Sequence, residues 1–476
     1  MTTSLKPLLQ RYSQVFPVGS AGSKFPEILK RRRKRHLEAL DGFAIFSGVP
    51  REPGGENIWH MNGLKIFQEP ALIHLTGINQ PQVIVALVPG GKPQEILFLP
   101  EKNPAREFWD GVRFGYPSGK DAENSQDLLD VRRLTGIQDV RSLKDFAPWF
   151  RDLVKRNKQG FGYAFYHQYV DPEKPGKLRV TRTDHNFVFK QGLERMARGV
   201  KSDFQIRSCA PLHFQLRLPL EPEQIRDVDR AVDVTRSAFI DTLAALLGLR
   251  DENALVAHIE HGMRSRSPYG LSFPSIVAGG KNATVLHYLK NDEVIPRNSL
   301  VLIDFGARYG TMHADITRTV PVSGRFNPLQ KLIYGIVLEA AKLNERNAKP
   351  GATIRKLNEA VWAHLEKLLQ ERFFSIGGKA ERAYNGRPHG VSHLMGEQEH
   401  DGDPHRLYQD HPLQVGWQLS NEPGLYGHFS VVLKGKRYSE WIGVRIEDDL
   451  LITKTGCRNL SKPIPREIRE IEALIG

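Results

Sequence analysis

The hydrophobic pattern changes period several times along the chain, and those changes divide it into two halves. Phe25-Pro26-Glu27 opens a run of helical period that lasts to about Leu40. Phe43-Ala44-Ile45-Phe46 then reads as a strand, followed by a polar, Gly/Pro-rich loop through Gly55. Continuous apolar runs at Ala71–Leu75 and Val83–Val88 read as further strands. Gly90-Gly91-Lys92 turns the chain into another at Glu95–Leu99. Helical patterns over 104–110, 124–131 and 143–156 alternate with these strands, which predicts an α/β domain over residues 25–205. Prolines from Pro211 to Pro222 interrupt the periodicity, so residues 206–221 are expected to be a linker.

The second half starts with an amphipathic helix from Pro222 to about Leu247. Ile225, Val228, Val232, Thr235, Phe239 and Leu243 recur near helical spacing, and Gly248 is a natural stop. A second helix is expected over Asn253–Met263, then strands at Ser275–Ala278 and Thr284–Tyr288. Helices over 328–347 and 353–370 are separated by Lys349-Pro350-Gly351. From 385 onward short strands, glycines and histidines prevail, with a polar, basic loop at 427–440. The overall expectation is an α+β chain: a larger domain over 222–476 preceded by the smaller α/β domain, with residues 1–24 a flexible tail.

Within the second half, Leu300 to Val320 stands apart. Two apolar, β-branched runs, Leu300–Ile303 and Ile316–Val320, flank Tyr309-Gly310, a plausible hairpin turn. Closure there sets Arg308 against Thr311 and places Asp304 directly opposite Asp315; a bulge would shift that register by one. Two carboxylates side by side on buried strands repel each other and lose hydration. A bound cation would make the arrangement favourable.

Composition adds limits. With 476 residues, two domains are the natural division. A hydrophobic content of 40% with 25% charged residues is ordinary for a soluble globular protein, and no apolar run reaches the ~18 residues of a membrane span. Cys209 and Cys457 fit neither a disulfide framework nor a zinc motif, so a reducing, cytoplasmic compartment is expected. Residues 1–26 are basic and contain no acid before the final Pro26. They resemble a transit peptide only weakly, because Pro7 and Pro17 break the amphipathic pattern. The net charge of +13 raises nucleic-acid binding as a possibility. Lys30–Arg35 alone contributes six of those charges, and no nucleic-acid motif accompanies it. A solvated helix face is the reading adopted, with neither a nucleic-acid nor a membrane partner.

Four clusters carry candidate chemistry: Leu286-His287-Tyr288; the hairpin with Asp304 and Asp315; PHGVSHLMG (388–396) with His400-Asp401; and SNEPGLY (420–426) with GVRIEDD (443–449). Singly, an Asp on a strand or a lone His is most often structural. As an ordered set, LVLIDFG, ADITRTVPVSGRF, HGVSHLMG, NEPGLY and GVRIEDD resemble the strings around the five metal ligands of the pita-bread metallopeptidases. That family includes methionine aminopeptidase, aminopeptidase P and prolidase. The likeness is greatest to aminopeptidase P, through His287-Tyr288, His389, His400 and Arg445-Ile446-Glu447-Asp448-Asp449. FLPEKNPAREFWDGVRFG at 98–115 also resembles part of that family's N-terminal domain. The chain departs from the family at Asn421, at Met312-His313 and in the spacing after His400-Asp401.

The resemblance implies that Asp304, Asp315, His393, Glu422 and Glu447 hold two divalent ions, with Asp315 and Glu447 bridging. Four carboxylates then balance two M²⁺. Oxygen-rich ligands with one imidazole and no thiolate suit Mn²⁺, with Zn²⁺, Co²⁺ and Fe²⁺ as alternatives. It further implies Glu422 as base, His287 and His400 as catalytic partners, and His287, His389, His400 and Arg445 as substrate-binding groups. The implied activity is release of the residue preceding proline (an Xaa-Pro aminopeptidase) by a homodimer or homotetramer. Prolidase action on Xaa-Pro dipeptides is the nearest alternative, and a non-catalytic pita-bread binding module the next.

Overall fold

The computed structural model describes residues 4–51, 65–119, 124–167, 169–170, 178–179, 184–402 and 407–476. Part of the loop expected through Gly55, and Asp403, lie outside them. The chain divides into two compact units, one running to Arg217 and the other starting at Leu218.

The first unit contains α1 (Lys6–Arg11), α2 (Phe25–Ala39), β1 (Ala44–Ser47), α3 (Pro70–Thr76), β2 (Ile84–Leu87), β3 (Glu95–Leu99), α4 (Pro104–Asp110), α5 (Gln126–Thr135) and β4 (Asp139–Ser142). It continues with α6 (Phe146–Arg156), β5 (Phe161–Ala164), the two-residue strands β6 (Tyr169–Val170) and β7 (Leu178–Arg179), α7 (His185–Arg198), β8 (Gln205–Ser208) and α8 (Ala210–Arg217). A mixed sheet runs β4-β3-β2-β1-β5-β8. Alternate residues of its strands feed two cores. Phe46, Val85, Leu97 and Leu99 pack with Ile28, Leu29, Leu128 and Val131 on one face. Ile45, Ile84, Ile96 and Phe98 pack with Phe146, Phe150, Val154 and Leu193 on the other.

Several expectations are corrected here. Residues 4–24 are not a flexible tail: α1 and a following turn bury Tyr12, Val15 and Phe16. Residues 206–217 are not linker, since β8 completes the sheet and α8 follows it. Ala71–Leu75 is helix α3. Pro70 sits in its first turn, Glu69 caps Ala71 N, and Gly77 ends it with φ of 72°. All seven residues are buried, so no helical stripe marks the run and a short apolar stretch cannot reveal its type. The Lys30–Arg35 run is not one solvated face either. Six consecutive helical residues cover every side of a helix, so Arg32 and Arg33 turn inward. Arg33 Nε lies 3.1 Å from Glu95 Oε2, and its Nη1 donates to Leu75 O at 2.9 Å.

The second unit opens with α9 (Pro222–Ala245) and α10 (Glu252–Arg264). It proceeds through β9 (Ile276–Gly279), β10 (Leu300–Phe305), β11 (Arg308–Tyr309), β12 (Met312–His313), β13 (Ile316–Pro321), α11 (Pro328–Asn347), α12 (Ile354–Arg372) and β14 (Lys379–Arg382). It closes with β15 (Leu394–Met395), β16 (Gln418–Asn421), β17 (Gly424–Leu433), β18 (Lys436–Arg445), β19 (Asp448–Ile452), β20 (Cys457–Asn459) and α13 (Ile468–Ile475). The four long helices and the inner faces of the sheets share one core, including Phe239, Ile259, Ile333, Trp362, Ile303, Val444 and Ile446. Capping boxes at Glu221/Gln224 and Asn327/Gln330 fix where α9 and α11 begin. Among the described residues no helix is long and apolar enough to cross a membrane.

The expected 427–440 loop is instead the tip of a ten-residue-per-strand hairpin, β17–β18, turning at Lys434-Gly435 with both φ positive. Thr284–Tyr288 forms no strand. β9 pairs directly with β10, and residues 280–284 make a 3₁₀ turn closed by Thr284 Oγ1 donating to Lys281 O. The register of the Leu300–Val320 hairpin also differs. Asp304 pairs with Thr317 and Arg308 with His313, so the two-residue loop is Gly310-Thr311, with Gly310 at φ 57°. Moving the turn by one residue slides the pairing by two, which leaves each side chain on the same face. Asp304 and Asp315 are therefore diagonal neighbours, not directly opposed. Gly306 sits at the crossing: a Cβ there would meet Ala314 O at 1.8 Å.

Candidate metal centre

The five acidic and imidazole residues singled out from the sequence all sit where a strand begins, ends or breaks. Asp304 is near the end of β10, Asp315 precedes β13, His393 precedes β15, Glu422 separates β16 from β17, and Glu447 separates β18 from β19. At such points backbone groups leave their own ladder and bond across to the next segment. Glu447 N donates to Thr317 O at 3.0 Å, Glu422 N to Val391 O at 3.0 Å, and Asp315 N to Asp449 Oδ2 at 3.3 Å. These bonds tie the Asp315 segment to that of Glu447, and the His393 segment to that of Glu422.

Asp315, His393 and Glu447 each present a ligand atom within 4.8 Å of the others. His393 Nε2 lies 3.6 Å from Asp315 Oδ2 and 3.5 Å from Glu422 Oε1. Its Nδ1 is 3.1 Å from Leu394 O, an acceptor, so Nδ1 carries the proton and Nε2 turns a lone pair toward the carboxylates. Ser420 secures two ligands together, with Oγ accepting from His393 N at 2.9 Å and donating to Glu422 Oε1 at 3.3 Å. Asp304 Oδ1 is buried without a hydrogen-bond partner.

Electrostatics point the same way. Burial first, then Glu447 and Asp304, push the Asp315 carboxyl well above the usual range. Burial, then Glu422 and Asp304, do the same to Glu447. Burial raises Glu422 to about 8, with Arg445 opposing the shift. Protein alone supplies poor compensation for these charges, whereas divalent ions fit the set: anionic oxygens, one lone-pair nitrogen and a spare buried oxygen.

Arg445 stands beside this group. Nη2 donates to Asp304 Oδ2 at 2.5 Å, Nε to Thr317 Oγ1 at 3.0 Å, and Nη1 to Tyr426 Oη at 3.4 Å. Thr317 Oγ1 in turn donates to Glu447 Oε2 at 2.7 Å. His389 Nδ1 is 2.8 Å from Gly390 O, so it carries the proton, and Nε2 accepts from Tyr426 Oη at 2.9 Å. Burial lowers the His389 pKa to about 4. His389 therefore stays neutral near pH 7. The His400 ring lies 4.1 Å from the His393 ring. His287 is exposed, on the turn after residues 280–284, and its charge is felt by His389. Thr317, Ser420 and Tyr426 were missed as site residues, although all three stand inside the quoted strings. Their hydroxyls matter only through bonds that close between distant segments.

Two departures from the family pattern acquire partners. Asn421 accepts from Asn344 Nδ2 and donates to Ala341 O, each at 3.0 Å, so its buried amide is tied to α11. His313 Nε2 lies 2.9 Å from Arg308 Nη2 and 3.1 Å from Glu397 O. A further carboxylate, Glu399, was not singled out. Burial and then Asp304 raise it to about 7, and it is felt in turn by Asp315 and Glu422.

Residues 223–454 match metallopeptidase family M24, and residues 29–161 match the N-terminal domain of aminopeptidase P. The Xaa-Pro aminopeptidase 3 of Rattus norvegicus is 30% identical over 86% of this chain and 76% of its own length. The Xaa-Pro aminopeptidase of Haemophilus influenzae is 28% identical over 95% and 98%. The mitochondrial intermediate cleaving peptidase 55 of Arabidopsis thaliana is 27% identical over 100% and 87%. Among solved structures, the Pseudomonas aeruginosa aminopeptidase PepP aligns with a TM-score of 0.74 at 26% identity, covering 94% of this chain and 98% of that one. The likeness spans both units, so the pita-bread domain preceded by a smaller α/β domain, expected from the sequence, is the fold.

Proposed function

The chain belongs to metallopeptidase family M24, in its aminopeptidase P branch, and we propose that it releases the N-terminal residue from peptides with proline in second position. It is a hydrolase of the metalloaminopeptidase class. Asp304, Asp315, His393, Glu422 and Glu447 would hold two divalent ions, with Mn²⁺ suited best by the donors. When bound, such ions supply Lewis acidity, which acidifies water and polarises a carbonyl. Glu422, ionised when the ions are bound, would take the proton of the attacking water and later return it. Arg445 keeps Asp304 oriented. His389, neutral and Nδ1-protonated, holds Tyr426 Oη toward Arg445. His287 and His400, on the exposed side, are the groups assigned to substrate and to the leaving imino nitrogen. Proline there makes the scissile bond a tertiary amide whose nitrogen has no N–H.

The observation that carries this reading is the His393 Nε2 lone pair converging with Asp315, Glu447 and Glu422. The test is hydrolysis of an Ala-Pro-Ala tripeptide by Mn²⁺-loaded protein, beside the Ala-Pro dipeptide and Ala-Ala-Ala. Release of Ala from the tripeptide alone supports the proposal, cleavage of the dipeptide alone makes the protein a prolidase, and no cleavage with two ions bound overturns both. A homo-oligomer in a cytoplasmic compartment belongs to the same proposal. Phe108 and Trp109, adjacent on α4, are 85% and 80% exposed, and light scattering reads the assembly size.

A further inference from the structure

The segment Gly396–His400 carries two carboxylates with different surroundings. Glu397 is buried and committed to structure: Oε1 accepts from Gln224 Nε2 at 3.1 Å, and its backbone N donates to Asp401 Oδ2 at 3.0 Å. Glu399, two residues on, keeps 32% of its side chain exposed, and its Oε1 lies 3.4 Å from His400 Nε2. The His400 ring packs 4.1 Å from that of the candidate ligand His393. Glu399 thus stands at the solvent side of the proposed metal cage, close enough for Asp304, Asp315 and Glu422 to share its field.

Neither neighbouring guanidinium hydrogen-bonds Glu399, although Arg308 lies near enough for its charge to be felt there. Arg445 serves Asp304, Thr317 and Tyr426, and Arg308 is buried against His313. Glu399 is also not among the ligand atoms that converge within 4.8 Å. When ionised, the carboxylate adds negative charge at the mouth beyond the four that two divalent ions would balance, offset in part by Arg308. A cation arriving with substrate relieves it, and at a half-open, low-dielectric site such a pair discriminates more strongly than a fully solvated one.

Resting on the function proposed above, we infer that Glu399 recognises a cationic group on the N-terminal residue of the substrate. That group is either its α-ammonium or a basic Lys or Arg side chain, which share the same chemistry.

The experiment compares kcat/KM of Mn²⁺-loaded wild type, Glu399→Gln and Glu399→Asp on Ala-Pro-Ala, Arg-Pro-Ala and Glu-Pro-Ala. The analogue of Ala-Pro-Ala whose amino group is replaced by hydroxyl is the fourth substrate. If the side chain is the source, Glu399→Gln loses about tenfold on Arg-Pro-Ala only, and the preference over Glu-Pro-Ala collapses. If the α-ammonium is the source, all three peptides lose about tenfold while slow turnover of the hydroxyl analogue is unchanged. In either case Glu399→Asp falls between, and added salt shrinks the wild-type preference. Active wild type with Glu399→Gln within twofold on every substrate overturns the inference alone. Wild type inactive on every peptide overturns the underlying function, and the inference with it.

Discussion

Replacing Asp315 by Asn separates what the carboxylate does for metal from what it does to the fold. Without metal, its buried charge faces Glu447 and Asp304, and its own carboxyl is raised well above the usual range. Two unit charges about 4 Å apart repel by about 4 kcal/mol at an effective dielectric of ~20. Protonation and the open side of the site reduce this to about 1–3 kcal/mol. The sign follows from linkage: a carboxyl whose pKa rises on folding contributes stability that is full below its unfolded value and lost as pH climbs through the folded value. For Glu422 that window runs from the usual 4.5 to about 8. Metal-free Asp315→Asn should therefore be more stable than metal-free wild type at pH 8.5, by about 1–3 kcal/mol, with the difference smaller at pH 5 and vanishing only below the ordinary aspartate value of 3.8. Saturating Mn²⁺ should reverse the order, because an ion at a hundred times its Kd adds about 2.7 kcal/mol to the protein that binds it. Urea unfolding with EDTA or Mn²⁺ at both pH values reads this directly. A variant less stable than wild type in EDTA at pH 8.5, or stabilised by Mn²⁺ as strongly as wild type, would refute the cage. Activity on Xaa-Pro peptides should be lost in the same variant.

Other perturbations follow from the same geometry. Arg445→Lys keeps a charge for Asp304 but loses the fork to Thr317 and Tyr426, so kcat/KM should fall about 10–100-fold with two ions per chain still found by elemental analysis. Thr317→Val removes the hydroxyl between Arg445 and Glu447, and Mn²⁺ affinity measured by calorimetry should drop about tenfold or more. Gly306→Ala forces a Cβ onto Ala314 O, so the hairpin must open; denaturation midpoints should show a loss of more than about 3 kcal/mol. Mn²⁺ affinity of the wild type should rise from pH 6 to pH 8 with proton release, visible as a dependence of binding heat on buffer.

Much of this protein is written in short windows. The ends of α9 and α11 are set by caps, prolines and a helical stripe within the elements themselves, so they were readable residue by residue. The five candidate ligands were proposed only through the resemblance of their ordered strings to a metallopeptidase family, since each residue taken singly reads as structural. Ala71–Leu75 was not legible, since a short apolar run buried on every side has no period to read. Nor was the true turn at Gly310-Thr311: two adjacent turn centres suit the same residues, and pairing across β10 and β13 chooses between them.

Sequence by itself set roughly where many elements start and stop, and its strings nominated the groups proposed to hold a metal. Tertiary structure decided their partners. Asp304 meets Arg445 across 141 positions, and Thr317 meets Glu447 across 130. The His389 tautomer depends on Tyr426, and Arg33 is buried because a sheet lies on that side of its helix. Glu397 and Glu399 look alike in the chain, yet packing consumes one and leaves the other facing the site mouth. The reason is physical. Helix and turn preferences act over a few residues, while hydrogen bonds and charge pairing act through space between segments that only the completed fold brings together.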